Sequence, residues 1–185
     1  RPGIRFSDEC YVTTNEHGSK YVWVSPEEAV ESQTMDQGPP QLLIWGMIGI
    51  NCKHLVVITK KGNVDSKTYR ESILRPSLKK LKENTGLFQQ DNARAHCKQG
   101  PFFARNRIKT LSSVAPWPAR SCDLSPIEQM WELVKRDVSK KGPLGLEELA
   151  KFIKQSWDAI SMDTVNKLVE GFWNRCKLCV KSQGS

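Results

Sequence analysis

The sequence predicts a mixed α/β domain with helices flanking a sheet, and three observations carry that reading. Short β-prone segments fill the first part of the chain, strand and helix patterns alternate through the middle, and amphipathic helical periodicity runs to the end. A chain of 185 residues buries a full core and usually forms one main domain. No apolar run approaches the roughly 18 residues that a membrane-spanning helix needs, so no membrane partner is expected.

Taken in order, Ile4, Phe6 and Asp8 alternate with Arg5 and Ser7, as a strand with two distinct faces requires. Tyr11 to Val24 carries the turn material Asn15-Glu16-His17-Gly18 between β-prone ends and predicts a hairpin inserted after the first strand. Ser25-Pro26-Glu27-Glu28 has the cap, first-turn proline and acid of a short helix, which Gly38-Pro39-Pro40 would end. Leu42 to Ile50 and His54 to Thr59 are apolar runs separated by a hairpin-length loop, and both predict central strands. Residues 69, 73, 74, 78 and 81 follow helical spacing, with Pro76 placed to interrupt the helix. Gly86 to Gln90 predicts a strand ending in Asp91, Ala95 to Arg105 a helix, and Ile108 to Val114 a β-prone segment. Ser125 to Ser139 is a capped helix with Ile127, Trp131, Val134 and Val138 on one stripe, and two further amphipathic helices follow it.

The formal charge of +8 favours polyanionic partners. It is locally concentrated: nine Lys or Arg lie between Lys53 and Lys82 against Asp65 and Glu71. A solvated helix face would explain that run equally well. The six cysteines are scattered and no secretory segment opens the chain, so a reduced intracellular setting without disulfides is expected. Cys176-x-x-Cys179 has no second pair with which to complete a zinc site. The chain opens on Arg1-Pro2-Gly3 without a Met, as a fragment of a longer protein would.

Three acids stand where functional residues gather. Asp8 and Asp91 end predicted strands, and Glu128 lies in the first turn of a helix. Carboxylates held close together repel unless cations neutralise them, which makes such a trio a site for hard divalent metals. Each also has a structural role open to it. Asp8 could begin a turn, Asp91 could cap the following helix, and Ser125-Pro126-Ile127-Glu128 fits a capping box with the Glu128 carboxylate bonded back to the cap amide. Alternation points Glu9 to the face opposite Asp8.

Three blocks occur in order: Phe6-Ser7-Asp8-Glu9, then Gln89-Gln90-Asp91-Asn92-Ala93-Arg94-Ala95-His96, then Trp117-Pro118-Ala119-Arg120-Ser121-Cys122-Asp123-Leu124-Ser125-Pro126-Ile127-Glu128-Gln129-Met130-Trp131. Together with Trp45-Gly46 and the segment Tyr69 to Leu74, they resemble the mariner superfamily of DDE transposases over nearly the whole chain. The third block is highly specific and the first is weak alone. The 36 residues between Asp91 and Glu128 slightly exceed the commonest family spacing, and Cys122 stands where proline is frequent.

The resemblance implies a ribonuclease H-like fold over residues 1–185 as a single catalytic domain, with the family's N-terminal DNA-reading domain absent. It implies a Mg²⁺-dependent transposase using two ions, with Mn²⁺ as substitute, held by Asp8, Asp91 and Glu128 as catalytic ligands. Double-stranded DNA at transposon ends and TA targets, a homodimer in the full-length protein and a nuclear location follow as expectations. Arg94, His96, Arg120 and Lys135 are candidate DNA contacts. A domesticated or decayed derivative that binds without cutting, and a general ribonuclease H-like nuclease, are the alternatives.

Overall fold

The computed structural model describes residues 3–14, 39–58, 64–83, 86–119 and 121–183. Strands β1 (Ile4–Thr13), β2 (Gln41–Gly49), β3 (Cys52–Ile58) and β4 (Leu87–Gln89) form one sheet in the order β3-β2-β1-β4. The β1–β2 and β2–β3 pairs are antiparallel and β1–β4 is parallel. The helices are α1 (Ser66–Thr68), α2 (Leu78–Glu83), α3 (Arg94–Cys97), α4 (Gly100–Arg105), α5 (Pro126–Lys141), α6 (Leu146–Ala159) and α7 (Met162–Lys181).

Alternation along β2 divides the core. Leu42, Ile44 and Ile48 face one layer, where Phe6, Ile127, Trp131, Ile153, Trp157 and Phe172 bring in α5, α6 and α7. Leu43, Trp45 and Met47 face the other, with Tyr69, Ile73, Leu74, Leu81, Phe88 and Phe103. A strand covered on both faces reads as a continuous apolar run, which is why Leu42 to Ile50 was so plain in the sequence. None of the described helices is long and apolar enough to cross a membrane.

Several expectations change. Tyr11 to Thr13 do not open a new hairpin but continue β1, pairing with Leu43 to Gln41. The rest of that predicted insertion, and the helix expected at Ser25, lie outside the described residues. β3 is an edge strand and not a central one. The turn before it is tightened to Ile50-Asn51, with Asn51 in the left-handed region at φ 54°, a conformation asparagine tolerates better than most residues. The helix predicted across Pro76 starts at Asp65, whose side chain accepts from the Thr68 amide at 2.7 Å, passes through a π-helical turn over Tyr69–Leu74 and breaks at 75–77. Residues 94–105 form two short helices in place of one. Ile108 to Val114 is not a strand: it makes one bridge, Phe88 to Thr110, before a 3₁₀ turn at Leu111–Ser113.

Part of the basic run between Lys53 and Lys82 serves the fold. Lys53 Nζ donates to the carbonyls of Trp157, Asp158 and Ile160 at 2.6–2.9 Å, satisfying acceptors at the end of α6. Arg70 and Arg75 share Glu71, and Lys80 pairs with Glu83.

Candidate active site

The sheet delivers Asp8 from the middle of β1, with Asp91 just beyond the end of β4. Because β1 and β4 run parallel, with Phe6 opposite Gln89, the chain positions following each lie at the same end of the pair. Glu128 arrives from the first turn of α5, which packs on β1 and β2. All three acids line one cavity of about 290 Å³, whose walls also include Ser7, Gln89, Asn92, Trp117 and Ser125.

Local bonds hold the acids in place. Trp131 Nε1 donates to Asp8 Oδ2 at 3.3 Å. That indole reaches Asp8 because Gly46, the register partner of Asp8 on β2, has no side chain: a Cβ there would lie 2.4 Å from Trp131 Cη2. Asp91 Oδ1 accepts from the Ala93 amide at 2.9 Å and from His96 Nδ1 at 2.5 Å. His96 Nε2 meets Glu9 Oε1 at 3.2 Å, and its ring stacks obliquely on Tyr69 with centroids 4.3 Å apart. Glu9 therefore lies on the face opposite Asp8's tryptophan, as alternation required. Asn92 Nδ2 donates to the Trp117 carbonyl at 2.8 Å, tying the second sequence block to the third.

The capping box is not formed. The Ser125 amide donates to the Cys122 carbonyl, and Ser125 makes no side-chain cap bond. The Glu128 carboxylate is thus left on the wall of the acid cavity.

The electrostatics follow from this packing. Burial, then the carboxylates of Glu9 and Glu128, push the Asp8 carboxyl up to about 7. Burial also raises Glu128, against the pull of Lys135 and with Glu132 adding to the rise. Asp91 is held below the usual range, chiefly by its bond to His96. For His96, burial disfavours the cation, but bonds to Asp91 and Glu9 prevail and raise the imidazole to about 10. It is therefore an imidazolium at neutral pH, with two carboxylates as acceptors.

The remaining candidates are dispersed. Arg94 is exposed on α3, beside Asp91 in sequence. His96 is 4% exposed and turned inward. Lys135 is half-buried on α5, and Arg120 lies outside the described residues. Sequence reasoning missed the work of Trp131, Gly46 and Glu9. The one signal for Trp131 was its position one helical turn after Glu128, where a side chain shares that face.

Among the described residues, no three His, Cys, Asp or Glu side chains are gathered closely enough to hold one metal ion. The donor set is nonetheless of the kind hard divalent cations take: three carboxylates on one cavity wall, two of them raised by burial and by neighbouring carboxylates.

Fold and pocket together define a class, a ribonuclease H-like domain with an acid cavity beside its central strands. No family model matches the chain. The Tcb1 transposase of Caenorhabditis briggsae is 29% identical over 178 residues, 90% of this chain and 59% of that protein. The Tc3 transposase of Caenorhabditis elegans is 28% identical, over 98% of this chain and 56% of that protein. Among solved structures, the Mos1 transposase paired-end complex with left transposon end superposes with a TM-score of 0.77 at 17% identity, and the Mos1 mariner paired end complex with Mn with 0.72 at 16%. Each covers 98% of this chain, and 55% and 56% respectively of the Mos1 chain. The chain thus spans somewhat over half the length of the relatives it matches. In sequence the chain is thus similar to the Tcb1 and Tc3 transposases, and in fold to the Mos1 mariner transposase.

Proposed function

We propose that this chain is the catalytic domain of a cut-and-paste DNA transposase, in which Asp8, Asp91 and Glu128 hold two divalent metal ions, Mg²⁺ or Mn²⁺. The observation that carries the reading is the convergence of those three acids on one cavity from β1, the end of β4 and the first turn of α5. The relatives are named as transposases, and two of the similar structures are described as Mos1 mariner complexes with Mn and with Mg. Double-stranded DNA, at transposon ends and at the target, is the substrate this implies. A homodimer in the longer protein and action in the nucleus go with it.

When bound, the metal ions would supply activation of the attacking oxygen and stabilisation of the leaving oxygen in an in-line phosphoryl displacement. The chain's own part is positioning. Trp131 holds one oxygen of Asp8, and the His96 imidazolium with the Ala93 amide holds Oδ1 of Asp91. Oδ2 of Asp91 takes no hydrogen bond among the described residues and is the atom left for a ligand. Near neutrality Asp8 retains a proton for part of the time, the response of a buried carboxyl beside other carboxylates in the absence of a cation.

The test is DNA cleavage and end joining with Mg²⁺ or Mn²⁺, comparing wild type with Asp91→Ala and Glu128→Ala. Both variants are expected to lose at least a hundredfold in rate, in line with the transition-state stabilisation such groups supply. Cleavage at the wild-type rate by either variant would remove that residue from the site.

A further inference from the structure

On the far side of Asp91 the acid cavity adjoins a second cavity of about 590 Å³, and the two share Asp91 and Asn92 in their walls. That second cavity shares Ile108 and Lys109 with a third, of about 400 Å³. The third is cationic: Arg5, Lys82, Arg107 and Lys109 line it, and no carboxylate does among the described residues. The nearby Glu83 is paired with Lys80.

Its floor is built and not merely a chance of flexible lysines. Arg5 is 3% exposed, and its guanidinium donates to the Leu81 carbonyl at 2.6 Å and the Gly86 carbonyl at 2.8 Å. Its Nε is buried with no hydrogen-bond partner among the described residues. A guanidinium cannot shed its charge, so the positive potential at this floor is permanent. At the rim, Arg107 stands just past the end of α4 at φ 57°, a left-handed position where glycine is least strained.

We propose that this cavity binds a backbone phosphate of the same DNA strand that enters the acid pocket, so that the three cavities form one track. The inference rests on the DNA-acting reading above and adds a site to it. Arg5 and Asp8 are three residues apart on β1 and point to opposite faces of the sheet, so the track passes from one face to the other around the β4 side, by way of Ile108 and Lys109. A phosphate held at the basic cavity fixes the strand's path, not its sequence.

The experiment measures binding of a 30-base-pair duplex by fluorescence anisotropy in EDTA over a range of salt, with cleavage switched off. Wild type is compared with the triple variant Lys82→Gln, Arg107→Gln and Lys109→Gln, and with a control of equal charge loss at Lys140, Lys151 and Lys154. One lost phosphate contact predicts a salt slope smaller by about 0.9, equivalent to roughly eightfold weaker binding at 0.1 M salt relative to 1 M. The control is expected to stay within about twofold of wild type, and unchanged thermal melting of the triple variant verifies its fold. Equal weakening in variant and control, or none in the variant, would overturn the track while leaving the DNA-acting reading intact. No measurable binding by wild type at low salt would overturn both. A single charge reversal, Lys109→Glu, offers an independent check because its residue belongs to two of the three cavities.

Discussion

At Asp8, burial and two neighbouring carboxylates act in the same direction, and the folded protein holds a proton there that an unfolded chain would release. The carboxyl rises from 3.8 to about 7. Folding therefore takes up a proton between those values, and stability falls as pH rises through that window, staying low above 7. Asp8→Asn removes the charge but keeps the shape. It is expected to stabilise the metal-free protein by roughly 2–4 kcal/mol at pH 8 and by little below pH 4. Urea unfolding at the two pH values checks this; a destabilised variant at pH 8 would show that the Asp8 charge is not the source of the cost. His96 presents the opposite case, an imidazolium satisfied by Asp91 and Glu9. His96→Gln should lower Mn²⁺ affinity by about 10–100-fold, the usual cost of losing a group that orients a ligand. Calorimetric titration reads it, and unchanged affinity would mean the Ala93 amide alone orients Asp91.

The elements meet at one crowded point, where α5 crosses the β1–β2 pair. Gly46 of β2 leaves room for Trp131 of α5, and Trp131 in turn packs against Trp157 of α6 with centroids 5.5 Å apart. A Cβ at position 46 would also come within 3.0 Å of Trp157. Gly46→Ala is expected to cost about 1–3 kcal/mol, as overpacking of a filled core does, and to displace the indole from Asp8. Thermal unfolding and tryptophan fluorescence should both change. A variant as stable as wild type would show that the two indoles can shift freely. The Pro126 start of α5 was legible in sequence, but the capping box was not realised, because the Ser125 amide found the Cys122 carbonyl in the preceding 3₁₀ turn. A local motif lists partners a group could take; the neighbouring turn decided which it took.

For the whole molecule, three helices cover one face of the sheet and the short helices after β3 and β4 cover the other, with the acid cavity opening beside the β1–β4 pair. A ligand that binds only the folded form stabilises it by mass action, so Mn²⁺ at a hundred times its dissociation constant should add about 2.7 kcal/mol. The rise in melting temperature should disappear in Asp91→Ala. A rise of the same size in that variant would place metal binding elsewhere.

The chain's pattern of apolar residues determined the central strand β2, the three C-terminal helices, the break at Pro76 and the opposite facing of Asp8 and Glu9. Those depend on periodicity, which local sequence carries. The three acid blocks were readable for the same reason, since each is a short run of neighbouring residues. Tertiary structure alone decided that Tyr11 to Thr13 extend β1, because their partner is Leu43 to Gln41 some thirty residues on. It alone decided that His96 turns inward between Asp91 and Glu9, and that Lys53 closes the end of α6. Each of these is a contact between residues distant in sequence or a choice among competing hydrogen-bond partners. Such choices are made by packing, which no single segment encodes.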